Sequence, residues 1–277
     1  MPEPSRLLLA TDFGRSAALA RDDAAMLARA YSAPVDLVHV HAAVGRTEAS
    51  RAAQRARTGQ HLAECRAALV ASGVSVGEVR VTQGSVAEAL LHTAEALDTS
   101  LVVIGSGDRT HGEPGTGATA ETVARFARQW VWISRPRRQP GLTRVLCAVD
   151  CSDASLEALA VAADLSARFA ATLEVIHVLE HPDFGPDADT GSGELAEHAR
   201  TSLAAVNELV AGRAAVHAEW GRASEVLTRL ASNPKCDLLV IGRTGVGGLR
   251  RVFLGGTAER LLRAAPCSLL LTSPAGP

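Results

Sequence analysis

The sequence predicts two tandem α/β domains, each a doubly wound, five-stranded parallel sheet flanked by helices. Three observations carry this. The chain repeats itself: "RLLLATD" at 6–12 returns as "RVLCAVD" at 144–150, "APVDLVHV" at 33–40 as "ATLEVIHV" at 171–178, and "TSLVVIG" at 99–105 as "CDLLVIG" at 236–242. "TAE" returns at 257–259, and "VWISRP" at 131–136 answers "LLLTSP" at 269–274. Within each half, short apolar runs alternate with longer segments of helical period, the pattern of parallel strands joined by right-handed helical crossovers. Finally, "LLVI" is apolar at every position, as suits a strand covered on both faces.

In the second half the strands are expected at 144–149, 172–178, about 214–219, 237–241 and 268–272. Helices are expected at 154–170, 194–211, 223–232 and 257–264. In the first half Ser85 and Glu88 stand at capping-box spacing before "VAEALLHTAEAL". Segment 48–70, with several Arg and Glu, reads as an amphipathic helix with a solvated face. The domains are bounded at 1–137 and 143–274, with the joint in "RPRRQPGLT" at 135–143, rich in Pro and Arg.

Of the 277 residues, 47% are hydrophobic, 21% charged and 3% aromatic, and the formal net charge is −2. This balance supports buried cores and gives no electrostatic case for nucleic acid binding. No apolar run approaches the ~20 residues needed to span a bilayer, and the N-terminus does not read as a signal peptide; the expected location is cytoplasmic. Five cysteines lack zinc-site spacing and read as reduced thiols. His39, His41 and His177 read as hydrogen-bonded strand residues rather than metal ligands. Trp130 and Trp132 share one strand face and suggest an interface between the halves or between subunits.

In doubly wound sheets, ligands bind at the carboxyl ends of strands, where the strand order reverses. Two strand ends carry suitable chemistry. The first strand ends at Asp12 or Asp150, an acceptor for a ribose hydroxyl or base amino group, or else a terminator and cap. The fourth opens into a glycine loop. "IGRTGVGGLRRVFLGGTAE" at 241–259 holds six glycines, three arginines and no lysine. Glycines let backbone N–H groups converge on an anion, and the following helix start adds free N–H groups and its dipole. Thr257 adds a hydroxyl or a cap. The P-loop spacing and its lysine are missing.

These residues resemble the universal stress proteins, over nearly the whole chain and as two tandem domains. Gly242, Gly245 and Gly255 fit the family's ATP-binding pattern G-x2-G-x9-G-[ST]; Gly256 stands where Ser or Thr is usual, with Thr257 one later. The resemblance implies an adenine nucleotide alpha hydrolase-like fold. It also implies an ATP site, with or without Mg2+, built from Ala148, Val149, Asp150, Val178, Gly242, Arg243, Thr244, Gly245, Gly247, Gly248, Gly255, Gly256 and Thr257. Asp150 would contact the nucleotide and Val178 would line the adenine pocket; Ala148 stands where Pro is common. In the first half Asp108 replaces the second glycine, and Glu113 and Pro114 enter a shortened loop. These features oppose a triphosphate, so the first loop is read as degenerate.

The expected function is therefore an ATP-binding stress-response protein, regulatory and not catalytic, with one site in the second half. A nucleotide-free scaffold, or a binder of another small ligand, is the first alternative; a weak ATPase is the second. The resemblance also implies an intramolecular pseudo-dimer of the two domains and leaves a homodimer of chains open. Replacing Gly242 by Val or Gly245 by Asp is expected to abolish ATP binding and spare the fold.

Overall fold

The computed structural model describes residues 3–41, 47–107, 116–180, 214–244 and 254–273, with scattered helical positions between 197 and 210. The chain divides between Pro136 and Arg137 into two units.

The first unit contains β1 (Leu7–Ala10), α1 (Arg15–Tyr31), β2 (Val35–His41), α2 (Glu48–Ala71), β3 (Val76–Gln83), α3 (Val86–Ala96), β4 (Leu101–Gly105), α4 (Ala118–Phe126) and β5 (Trp130–Ser134). Its parallel sheet runs β3-β2-β1-β4-β5. The second unit contains β6 (Arg144–Ala148), α5 (Asp153–Phe169), β7 (Thr172–Leu179), β8 (Ala215–Trp220), α6 (Ala223–Ala231), β9 (Leu238–Gly242), α7 (Gly256–Ala264) and β10 (Ser268–Thr272). Its parallel sheet runs β10-β9-β6-β7-β8. Each order reverses beside the first strand of its unit, between β1 and β4 and between β6 and β9. The predicted second-half elements fall within one residue of these bounds, apart from 194–211, which lies mostly outside the described residues.

The apolar runs form the sheet interiors for the expected reason. Leu7, Leu8 and Leu9 on β1, and Leu238, Leu239 and Val240 on β9, are fully buried. Burying each such side chain stabilises by about 1.5–3 kcal/mol. The outer strands β3 and β8 are largely exposed and alternate with solvent. α1 and α5 end alike, with Ser32 and Ala170 in the left-handed conformation. The next residues, Ala33 and Ala171, donate back to Ala28 and Ser166, satisfying carbonyls the helix leaves open.

One local expectation is corrected. Ser85 holds the N-cap position of α3, but its side chain makes no capping bond. The working capping box belongs to α2, where Thr47 and Ser50 exchange side-chain and backbone bonds. The Trp132 indole Nε1 donates to Asp23 Oδ2 at 2.7 Å inside the first unit, with the Asp23 carboxylate buried on α1. A buried indole needs an acceptor, and the charged one is stronger than a neutral one. Trp130 is buried as well. Helix α2 matches its reading, with only Thr58, Leu62, Cys65 and Leu69 buried.

Candidate functional site

The carboxyl ends of β6, β7 and β9 bring Ala148, Val149, Asp150, Val178 and Gly242 of the predicted set together. Val149 continues β6 by donating to Ile176 O at 2.9 Å, and His177 Nδ1 meets Val149 O at 2.6 Å. Ala148, Val149 and Asp150 thus end beside Val178. On the other side, β6 pairs with β9 through Cys147↔Val240. The same register carried forward sets Gly242 level with Val149, at the point where strand order reverses.

Asp150 is exposed, and its Oδ1 accepts from the Ser152 N–H at 3.1 Å and hydroxyl at 2.5 Å. Ser152 caps α5 by accepting from Ser155 N. The Ser155 hydroxyl accepts from Asp150 N at 3.2 Å and donates to Ser152 O. Between them Cys151 adopts φ 63. A left-handed non-glycine residue costs about 1 kcal/mol or more and persists only where the surroundings enforce it. The capping and ligand readings of Asp150 are therefore compatible: the turn fixes the carboxylate at the strand end, facing solvent.

The glycine loop leaves β9 through Gly242. A Cβ there would stand 2.8 Å from the backbone carbon and oxygen of Ala154. Gly242 thus allows strand and helix α5 to touch, and its replacement by Val cannot spare the fold as the sequence suggested. Arg243 N donates to Thr272 O at 2.9 Å, and Gly255 N donates to Arg243 O at 2.9 Å. These bonds pinch the loop at its base. The Arg243 side chain is buried, and desolvation pulls its guanidinium down to about 10, with Glu157 opposing the shift. It therefore sits at the loop's base as a buried cation and not as a surface charge. Gly245, Gly247, Gly248, Arg250 and Arg251 lie outside the described residues.

Helix α7 starts at the loop's far end with Gly255 as N-cap and no side-chain cap. The first N–H groups of such a helix have no partner within it. Gly256 is exposed, and a Cβ built on it meets nothing within 4 Å. Thr257 is half-buried in the first turn. Among the described residues no group of three or more His, Cys, Asp or Glu forms a metal site.

The first unit repeats this frame. His39 Nδ1 meets Thr11 O at 2.8 Å, Asp12 Oδ1 accepts from Gly14 N at 2.9 Å, and Phe13 takes φ 66. Ser106 N donates to Ser134 O, and Gly117 N to Ser106 O. A Cβ on Gly105 would meet the Ser16 backbone at 2.6 Å. Asp108, Glu113 and Pro114 lie outside the described residues.

Two differences inside the shared frame escaped the sequence reading. Ser16, the counterpart of Ala154, accepts the Gly107 N–H on its hydroxyl at 3.1 Å. Phe13, the counterpart of Cys151, stacks on His39 at 4.5 Å between ring centroids and meets His61 of α2 at 5.0 Å. His41 packs edge-on to His39 and bonds Gln54 and Thr58 of α2. Aligning the halves at offset 138 exposes both substitutions, but only the fold shows what they touch.

The model of the "Universal stress protein family" matches residues 4–135 and again 141–273. A universal stress protein of Methanocaldococcus jannaschii is 31% identical over 136 residues, covering 46% of this chain and 80% of the relative. One from Thermus aquaticus is 32% identical over 133 residues, covering 46% and 96%. Among solved structures, a universal stress protein from Archaeoglobus fulgidus superposes with a TM-score of 0.73 at 19% identity, over 97% of this chain and 96% of that one. At that identity the likeness speaks to the fold alone.

Proposed function

This chain belongs to the universal stress protein family, once in each half, and on that premise we propose that it is an ATP-binding regulatory protein of the stress response with a single nucleotide site, in the second unit. The carrying observation is the contrast between the units at matched positions. In the first, Ser16 occupies the Gly107 N–H at the loop's start, and Phe13 lays its own ring beside Asp12 against His39 and His61. In the second, Ala154 has no hydroxyl to offer Thr244, and Cys151 has no ring. The frame is the same; the first unit fills with its own side chains what the second leaves to a ligand.

Within that site, Ala148, Val149 and Val178 would flank the adenine, and Asp150 would accept from a ribose hydroxyl or the base amino group. The N–H groups at Gly256 and Thr257, the Thr257 hydroxyl and the loop glycines would take the phosphates, where helix dipole and free donors favour negative charge. Magnesium, when present, would neutralise phosphate oxygens. Among the described residues the site side chains fit binding of the nucleotide and not positioning of a water, so the reading is regulatory rather than catalytic. The same reading has the two domains as an intramolecular pair and the protein in the cytoplasm. No helix among the described residues is long and apolar enough to cross a membrane.

The test is the nucleotide carried through purification, released by denaturation and counted per chain, with calorimetric titration of ATP into stripped protein. About one nucleotide per chain is expected. Two per chain would overturn the single site. None, together with no affinity below about 1 mM, a binding energy weaker than ~4 kcal/mol, would leave the nucleotide-free scaffold.

A further inference from the structure

At the opposite end of the second sheet, below β9 and β10, two reduced thiols face each other. Cys236 Sγ and Cys267 Sγ are 3.8 Å apart, and both residues are buried. Cys236 precedes β9 by two residues and Cys267 precedes β10 by one. These strands pair in register with Ser268↔Leu238. Extending that register places the two cysteines one residue off opposite each other. Strand spacing and rise then put their Cα atoms about 6 Å apart, inside the range a disulfide bridges. Closing the bond asks the sulfurs to approach by about 1.8 Å, a small side-chain movement.

The fold does not require thiols there. In the first unit the corresponding positions are Thr99 and Gln129, both buried and both polar. Nor is the pair idle packing like Cys147, whose thiol deep burial pushes up. The Cys236 thiol is pulled down by its hydrogen bond with Cys267, against the effect of its burial. Cys151, though exposed, is pushed up by partial burial and by Asp150.

We propose that Cys236 and Cys267 form a reversible intramolecular disulfide on exposure to a hydroperoxide, a modification site on the second unit. The Cys236 sulfur attacks the peroxide O–O bond, becomes a sulfenic acid and releases one water from hydrogen peroxide. The Cys267 sulfur then attacks the sulfenic sulfur, the S–S bond forms and the hydroxyl leaves with the thiol proton as a second water. Each sulfur is oxidised by one electron and the peroxide is reduced by two, so the step balances. The bond would close a covalent loop around β9, the glycine loop and α7, fastening the feet of the strands on both sides of that loop.

The experiment treats the full reduced chain with hydrogen peroxide, blocks remaining thiols in denaturant and maps peptides by mass spectrometry. A linked peptide pair carrying Cys236 and Cys267 is expected, with two of the five thiols lost and both recovered by a dithiol reductant. Cys151→Ser leaves that link unchanged; Cys236→Ala removes it. Recovery of Cys236 and Cys267 from wild-type protein as free thiols, or as separate oxidised products, while Cys151 reacts would overturn the proposal without need of any variant.

Discussion

The Gly242 Cα faces the Ala154 backbone so closely that any β-carbon at 242 would lie 2.8 Å from the Ala154 carbonyl carbon and oxygen. Neither partner is a flexible side-chain end, so the strand or the start of α5 must shift. Gly242→Ala is therefore expected to destabilise the second unit by about 1–3 kcal/mol, read as a lowered thermal midpoint without ligand. Gly105→Ala should do the same to the first unit against Ser16. Gly256→Ala, where the new carbon meets open space, is the matched control and should leave the midpoint unchanged.

Gly256→Ser is expected to tighten ATP binding. The position is exposed, has room for a side chain and lies in the first turn of α7. A hydroxyl there would add one donor to a charged phosphate, about threefold to tenfold in affinity. Calorimetry on the full chain checks this; unchanged or weaker binding would show that the phosphates do not reach α7.

Asp150→Ala is expected to weaken ATP about tenfold or more, since a lost bond to a charged acceptor costs about 1.5–3 kcal/mol. The turn must be separated from the ligand. Asp150→Asn keeps an acceptor for the Ser152 N–H and should preserve the unliganded midpoint while still losing affinity. Asp12→Ala, at the matched place in the first unit, should leave ATP affinity within about twofold. Equal losses from both aspartates would contradict a single site.

Acid should loosen the first unit through His41. Burial, then the neighbouring His39, holds its imidazole below the ordinary value of 6.5. Among the described residues it bonds Gln54 and Thr58 from α2 and meets His39 on its own strand, and no carboxylate ion pair to it is seen. The unfolded chain thus takes up a proton before the folded one. The stability from neutral His41 is complete above pH 6.5 and is lost as pH falls from there through the folded value. His41→Leu, which copies Leu179 of the second unit, should flatten the fall in stability between pH 7 and pH 5. Urea unfolding at those pH values measures it; an unchanged slope would assign the effect elsewhere.

The repeat made the architecture legible before any coordinates. Strands such as β9 are apolar at every residue, and burial on both faces is the one environment that accepts such a run in a water-soluble sheet. Helix α5 shows its apolar period and its Ser152 cap, and its bounds fall within one residue of those expected. Capping was less legible at α3: Ser85 and Glu88 have capping-box spacing, yet spacing does not decide whether the Ser85 side chain turns back to the helix. Trp132 shows a related limit, because a large aromatic on a strand says nothing about which buried carboxylate awaits its N–H.

Sequence alone determined the two-fold repetition, the parallel doubly wound class, the family and the strand ends that carry Asp150 and open the glycine loop, because these rest on period, order and spacing along the chain. The tertiary structure decided what the shared residues do. Gly242 and Gly105 are demanded by a backbone approaching from α5 or α1, a contact between segments some ninety residues apart that no local pattern records. The distinction between the units likewise lies in Ser16 meeting Gly107 and Phe13 meeting His61, and in Cys236 meeting Cys267. Each is a pairing across the chain, fixed only when the sheet brings distant residues within a few ångströms, where hydrogen bonds, ring contacts and sulfur chemistry begin to act.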